Sequence, residues 1–329
     1  MKYIDYIYGE IEIVEPIVLD IIKSKPMQRM KGVDQHGYLH NPKNIIFKYD
    51  KSRFSHSLGV YILLKRFGAP LEEQIAGLLH DVSHSAFSHC MDALKGSNLV
   101  QDYQDNIHEQ YIKDSEIFDI LKKYNLNLDY LMNDNNFPLK EKASPDLCAD
   151  RIDYLLRDAV IFNEIEPEKA RYFLDNLLIK NNSWIFKNFK PAKEFRDLFS
   201  LMNKIYYAGL LTATMFYTLS NLIRHALIKN YISENDLYTT DFEVLDKINV
   251  YLEKDSELKK LNDRVHNQVA FVNDPNNFEI KVTHKSRVID PLFLDGEVIK
   301  KLSDVDIVWR EKIVEEKKPK VYYLRYVGI

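Results

Sequence analysis

Seven of the ten histidines in this chain, His36, His40, His56, His80, His84, His89 and His108, fall within its first 108 residues. Scattered surface histidines would not cluster so, and several imidazoles held together most often serve a metal ion. At the centre stands the run Leu78-Leu79-His80-Asp81-Val82-Ser83-His84-Ser85-Ala86-Phe87-Ser88-His89. The adjacent His80 and Asp81 offer one nitrogen and one oxygen to the same ion, provided other elements complete the shell. A lone His-Asp pair is more often a hydrogen-bonded structural pair; the surrounding imidazoles reverse that reading here. His56 is a natural third ligand. Asp150 and Asp153 are both candidate fourth ligands, and spacing does not separate them. A mixed nitrogen and oxygen set suits one borderline-hard divalent ion, such as Mn, Fe, Zn, Mg or Ni, better than a soft one. Arg53 precedes His56 by one helical turn, so both can face one cavity.

The elements that must position these residues read as mainly helical. Tyr3 to Ile13, broken at Gly9, has the composition of a hairpin, and Pro16 introduces a helix from Ile17 to Ser24. Ser57 to Phe67 is strongly apolar and predicts a buried helix with His56 at its start. Leu71 to His80 follows Pro70 with an apolar face of Ile75, Leu78 and Leu79. Lys95 to Asp105 reads as a polar loop, Lys113 to Tyr130 as a helix and Asn133 to Pro138 as a turn. Ser144-Pro145 caps a helix from Asp146 to Phe162, on which Asp150, Tyr154 and Asp158 share one face. Leu177 to Lys180 and Trp184 to Lys187 flank Asn181-Asn182-Ser183, a hairpin turn. Glu194 to Asn230 predicts one long helix and Asp241 to Val265 two charged ones, while Lys320 to Gly328 has strand composition.

Composition bounds the class. With 46% apolar residues the chain can bury a large core, and a formal charge of -4 gives no overall attraction to nucleic acid or membranes. Two cysteines, Cys90 and Cys148, argue against a disulfide scaffold and for a reducing compartment. No apolar signal core opens the chain, and no uninterrupted apolar stretch approaches membrane-spanning length. A soluble, cytoplasmic protein is expected.

Five segments in order resemble one family: Arg53-Phe54-Ser55-His56-Ser57-Leu58-Gly59-Val60, Ile75-Ala76-Gly77-Leu78-Leu79-His80-Asp81, Phe87-Ser88-His89, His108-Glu109-Gln110, and Asp150-Arg151-Ile152-Asp153-Tyr154-Leu155-Leu156-Arg157-Asp158. They resemble the HD-domain phosphohydrolases, and most closely the deoxynucleotide triphosphohydrolase branch, over about the first 180 residues of the chain and only weakly beyond. The resemblance implies an HD helical core with small hairpins over 1–180 and a mainly helical region with short strands over 181–329. It also implies metal ligands His56, His80, Asp81 and Asp150, the last through the Asp-x-x-Asp-Tyr frame. The ion would polarise a phosphoryl oxygen and activate water. His89, Asp92 and His108 match proton-handling positions near the scissile phosphate. Gln35 matches a sugar contact and Arg53 a phosphate contact; Arg151, Tyr154 and Asp158 match further substrate contacts, and His84 joins them as part of the imidazole run.

The resemblance thus implies an enzyme acting on a nucleotide, preferably a deoxynucleotide, and assembling as a homo-oligomer as the family usually does. The alternatives are a phosphomonoesterase or phosphodiesterase acting on another phosphorylated metabolite, and a nucleotide-sensing or nucleic-acid-binding protein with little turnover, which the net charge does not favour. One departure stands out. The branch carries an Arg/His-rich helix that grips the polyphosphate, whereas the matching stretch here, Asn203 to Thr212, has Lys204 as its only charge. Burying a triphosphate without cations is costly, so a substrate that carries fewer phosphates or sits differently is expected. His225, His266 and His284 have no chemical partners in the sequence and read as structural.

Overall fold

The structure is a computed structural model that describes residues 1–37, 48–95, 99, 103–266 and 268–327. His40 and most of the stretch between Lys95 and Tyr103 lie outside the described residues. The fold is mainly helical, with small sheets at its margins. Among the described residues no helix is long and apolar enough to cross a membrane.

The central element is the helix Arg53–Arg66, buried on every side from Arg53 to Leu64. A helix apolar all round must sit inside the molecule, and this one packs between Leu71–Leu79 and Ala149–Ile161. It begins four residues before the apolar run at Ser57. Ser52 caps it, accepting from the Ser55 N–H at 3.2 Å, which places His56 in the first turn. Gly59 permits the close approach to Ala149–Ile161, since a Cβ there would lie 2.0 Å from Asp153 Oδ1 and 2.2 Å from Arg157 Nη2.

Three other helical expectations need correction. The stretch from Lys113 to Tyr130 is not one helix. Tyr103–Lys113 begins inside the expected loop, and Glu116–Lys123 and Leu128–Leu131 follow as separate helices. Ser115 and Asn127 divide them by accepting from the N–H groups of Ile117 and Tyr130, and a cap is also a start. The helix expected from Asp146 begins at Ala149, where the N–H groups of Ala149 and Asp150 donate to the carbonyls of Leu139 and Lys140 instead of water. The long helix expected from Glu194 to Asn230 is two, Phe189–Met202 and Leu210–Ile228, separated by a π-turn at Asn203–Tyr207 and by Gly209. The turn brings the Ile205 carbonyl so near Gly209 that a Cβ there would lie 2.1 Å from it.

The N-terminal hairpin pairs Lys2–Asp5 with Gly9–Glu12, and the second pairs Leu177–Lys180 with Ser183–Phe186 through Asn181 and Asn182, both at positive φ. Strand content beyond residue 186 exceeds the small element expected. Leu292–Asp295 and Val298–Lys301 extend the second hairpin, while Lys320–Val327 lies between Ala270–Asn273 and Ile280–His284. One buried cluster joins Ile7, Leu64 and Leu155 to Phe195, Ile289 and Trp309. A second packs Ala86 and Phe87 against Leu219 and Val244, so the His80–His89 segment rests on the helix Leu210–Ile228.

Candidate metal centre and catalytic cavity

Two imidazoles meet where the central helix crosses the end of Leu71–Leu79. His56 Nδ1 donates to Asp153 Oδ2 at 2.8 Å and His80 Nδ1 donates to the Gly77 carbonyl at 2.7 Å. Both acceptors fix the tautomer, leaving each Nε2 as a lone pair. These lone pairs face each other at 3.2 Å. Asp150 Oδ1 lies 2.9 Å from His56 Nε2 and 3.4 Å from His80 Nε2, and Asp81 contributes an oxygen 3.5 Å from His80 Nε2. Two opposed lone pairs among carboxylates are stable only around a cation, and a two-nitrogen, two-oxygen donor set fits a divalent ion. Burial opposes charge on His56, but Asp150 and Asp153 outweigh it and raise its pKa to about 10. Asp81 resists the upward pull of burial through Arg53, His80 and His84, and its carboxyl stays well below the usual range.

Asp153 takes the role behind the ligand. Fully buried, it accepts from His56, from Tyr8 Oη at 2.7 Å and from Arg157 at 3.0 Å, the carboxylate-to-imidazole support common behind metal ligands. Asp153 thus meets His56 on its Nδ1 side, while Asp150 faces the Nε2 atoms of His56 and His80.

Arg53 is 2% exposed; it donates to Asp81 Oδ2 at 2.5 Å and to Ser88 Oγ at 2.6 Å, and its Nη2 is buried with no partner. Ser88 and Phe87 adopt φ of 49° and 62°, a left-handed pair that costs energy in residues other than glycine. Asp241 holds them there. Its carboxylate accepts from the N–H groups of Phe87 and Asp34 at 2.8 and 2.9 Å, while burial pushes its pKa up to about 7.

A cavity of about 880 Å³ opens beside these groups, within the range of small-molecule sites. Gln35, His84, His89, His108, Arg151, Tyr154 and Asp158 all line it. His89 Nδ1 donates to Asp92 Oδ2 at 2.9 Å; burial and the charge of Arg53 lower its pKa despite Asp92. His84 lies 3.3 Å from Asp81, and burial with Arg53 brings it down to about 3. His108 sits on Tyr103–Lys113. Its Nδ1 accepts from Ser83 Oγ at 2.7 Å, Ser83 in turn accepts from Gln104, and burial lowers His108 to about 4. Gln35 Oε1 is buried without a partner. Tyr154 packs edge-on against Tyr207. Arg151 reaches the carbonyls of Lys142 and Asp146 and lies 3.5 Å from Glu141.

Several lining residues escaped the sequence reading. His36 is one: buried between Asp158 at 2.9 Å and Asp34 at 3.3 Å, it stays charged up to about 9, because the two carboxylates overcome the cost of burial. Its position directly after Gln35 was the available signal. Lys285 and Arg287 also line the cavity, charges that the reading of Asn203 to Thr212 did not count. Cations do reach the site, from a segment whose place no local pattern could give. His225, His266 and His284 prove structural, bonded to Asp255, the Asn262 carbonyl and the Tyr207 carbonyl. Cys90 and Cys148 are free and buried.

Helices that bring His56, His80 and Asp81 together, with Asp150 against both imidazoles, beside a cavity lined by six cationic and six acidic side chains give the layout of a metallohydrolase. Comparison with known proteins agrees. The family model described as HD domain matches residues 53–158. The uncharacterized protein YdhJ of Bacillus subtilis is 36% identical over 304 residues, 91% of each chain. The metal-dependent phosphohydrolase cns2 of Cordyceps militaris is 37% identical over 176 residues, 53% of this chain and 49% of that one. Deoxynucleoside triphosphate triphosphohydrolase SAMHD1 of Bos taurus is 36% identical over 110 residues, 28% of this chain and 18% of that one. A solved phosphohydrolase structure from Bacteroides thetaiotaomicron shares the fold, with a TM-score of 0.74 at 18% identity over 99% of both chains. The chain belongs to the HD-domain family of metal-dependent phosphohydrolases, enzymes that use a divalent ion.

Proposed function

We infer that this enzyme hydrolyses phosphate esters or anhydrides of nucleotides, preferably deoxynucleotides. The observation that carries the reading is the pair of opposed Nε2 atoms, 3.2 Å apart, at the wall of the cavity; the partial similarity to SAMHD1 supports the deoxynucleotide preference. His56, His80, Asp81 and Asp150 are the groups that hold the ion. When bound, a divalent ion supplies charge that polarises a phosphoryl oxygen and makes water more acidic.

The protein's own side chains account for the remaining work. Arg53 steadies Asp81 and directs Nη2 at the phosphate. His89, its Nδ1–H committed to Asp92, offers Nε2 as a proton acceptor. His108, its Nδ1 held by Ser83, offers Nε2–H as a donor. Both are neutral in the free enzyme, and the negative charge of a bound phosphate raises their pKa toward the operating pH. As the water oxygen bonds to phosphorus and the bond to the leaving oxygen breaks, His89 Nε2 takes the water proton, while His108, protonated once the phosphate is bound and with Nδ1–H turned to Ser83 Oγ, gives its Nε2–H to the leaving oxygen and returns to neutral. Gln35, Tyr154 and Asp158 contact the sugar, and His84 and Arg151 line the phosphate path. Turnover measured across ribo- and deoxynucleotides with added Mn, Mg, Co and Ni tests the reading. Metal-dependent release of phosphate, pyrophosphate or triphosphate from deoxynucleotides supports it, and hydrolysis of other phosphate esters alone overturns the nucleotide assignment.

A further inference from the structure

The segment 237–241 lies far beyond residues 53–158, the span of the HD match, yet it is pinned across the loop 81–89 of the catalytic cavity. The Ala86 N–H donates to the Leu237 carbonyl at 2.7 Å and the Phe87 N–H to Asp241 Oδ1 at 2.8 Å. Arg29 ties the two segments together, donating to the Thr239 carbonyl at 3.1 Å and to the Val82 and His84 carbonyls at 3.0 and 2.6 Å. Asp241 Oδ2 accepts from the Asp34 N–H at 2.9 Å. The packing leaves no slack, since a Cβ on Gly32 would lie 2.4 Å from Thr240 Cγ2.

The helix Asp241–Asn249 does not need the Asp241 carboxylate for itself. Thr240 caps it, accepting from the Glu243 N–H at 3.3 Å while Glu243 accepts from the Thr240 N–H at 2.9 Å, a closed capping box. Both oxygens of Asp241 are spent instead on Phe87 and Asp34. The residue is 7% exposed; burial works against its charge, and the two N–H donors and the positive Arg53 work for it. A buried carboxylate with no salt bridge among the described residues is costly to keep, and what it secures is a chain of contacts leading to Arg53. Phe87 and Ser88 hold φ of 62° and 49° beside it. Ser88 Oγ donates to the Asp34 carbonyl at 2.8 Å and accepts from Arg53 Nε at 2.6 Å. Asp241, Phe87, Ser88 and Asp34 thus form a closed ring, from which Arg53 extends to Asp81 through Nη1 and keeps Nη2 buried without a hydrogen bond at the cavity lining.

We propose that Asp241 is a positioning residue for phosphate recognition, setting the direction of the Arg53 guanidinium through Phe87 and Ser88. This rests on the reading of Arg53 as the phosphate contact. It extends the working unit past the HD match, because the ring that orients Arg53 closes only through segment 237–241.

The test is calorimetric binding of inorganic phosphate to the intact protein, loaded with a divalent ion whose occupancy is checked by elemental analysis. In Asp241→Asn the amide presents one acceptor and one donor to two N–H groups, the ring opens, and phosphate binding weakens by roughly tenfold, the weight of one charged hydrogen bond. Ser88→Ala, which cuts the ring where Arg53 joins it, does the same. Arg53→Lys alone also weakens binding by roughly tenfold, since an ammonium does not reproduce the guanidinium fork. Adding Asp241→Asn to Arg53→Lys then costs about twofold or less, because contacts that act through one another do not add. Lost stability does not imitate this pattern: Ile248→Ala, at a fully buried position of the same helix, lowers the melting temperature and leaves phosphate binding unchanged. Parent-like phosphate binding in a folded Asp241→Asn protein overturns the proposal, as do losses that multiply in the double variant; should Asp241→Asn not fold, parent-like binding in Ser88→Ala overturns it. Parent-like binding in Arg53→Lys, or a parent that binds no phosphate, refutes the phosphate role of Arg53 and the proposal with it, whereas binding that depends on Arg53 but not on Asp241 refutes the proposal alone.

Discussion

The two walls of the cavity are built on opposite principles. On the metal wall, His56, His80, Asp81 and Asp150 make close polar contacts, and both imidazoles are locked into a tautomer from behind. Elsewhere in the lining, Gln35 Oε1 is buried without a hydrogen bond, and His36 Nε2 and Tyr207 Oη face only the Asp158 carboxylate, His36 at 2.9 Å. A fully satisfied polar cluster is rigid and specifies one geometry, whereas orphaned buried groups cost stability that a ligand can return. The metal side is therefore the more fully hydrogen-bonded part of the lining, Arg53 Nη2 excepted, and the Gln35 side the less complete.

Removing a ligand should produce the largest effect. His80→Ala and Asp81→Ala are expected to lose the ion and to drop hydrolysis to background with the fold intact, because the apolar clusters do not run through the centre. Elemental analysis showing full metal occupancy in both variants would contradict the assignment.

On the facing wall the first effect is on stability. The pKa of His36, about 9 in the folded protein, lies above its ordinary value near 6.5. The stabilisation it brings is complete below pH 6.5 and disappears as pH rises through 9. Against His36→Gln, the wild type should gain at most about 3 kcal/mol at pH 6, with the gap closing by about pH 10. Denaturant melts at both pH values check this, and a gap that widens with pH would show that His36 is not held charged by Asp34 and Asp158.

His108→Ala lies between the two walls. Loss of its Nε2–H from the leaving oxygen should lower turnover by roughly a hundredfold while metal content stays unchanged. Near-normal turnover would leave it a lining residue only. Asp153→Asn then probes the back of the metal wall. Its amide oxygen can still accept from the His56 N–H but carries no negative charge, and metal affinity should fall by about ten- to a hundredfold. Unchanged affinity in a folded variant would mean that the rigidity of this wall does not depend on its support.

Legibility from sequence divided along the same line. The metal wall comes from residues at short, regular separations on helices, His80 and Asp81 adjacent and Asp150 one turn before Tyr154, so periodicity and family resemblance both reach it. Asp150 and Asp153 stayed ambiguous because three residues separate them on one helix; only the placement of Tyr8 and Arg157 sends Asp153 behind His56. The facing wall is tertiary. Lys285 and Arg287 arrive from a β segment more than a hundred residues after Tyr154, and nothing around them distinguishes them from surface cations. The break at Gly209 was similarly hidden, since the apolar pattern continues across it and only the carbonyl of Ile205 makes a side chain there impossible.

The smallest expected effect is the most diagnostic. Tyr207 Oη makes no hydrogen bond of good geometry, although the Asp158 carboxylate lies close enough for its charge and a weak hydrogen bond to add to the upward push of burial on the phenol. In Tyr207→Phe the hydroxyl is gone and the edge-on contact with Tyr154 and the tilted one with Phe199 can remain. If the facing wall is incomplete by construction, the free protein should melt no lower than the parent and gain up to about 1 kcal/mol, the usual cost of an unmet buried hydroxyl. The same change should raise KM for the nucleotide by about fivefold and leave kcat nearly unaltered, because the contact it removes is made to bound substrate rather than to the reacting bond. Opposite signs on stability and binding are required together. A variant that loses stability while keeping its KM would show that Tyr207 already has its partner inside the protein, and that the two walls are equally complete.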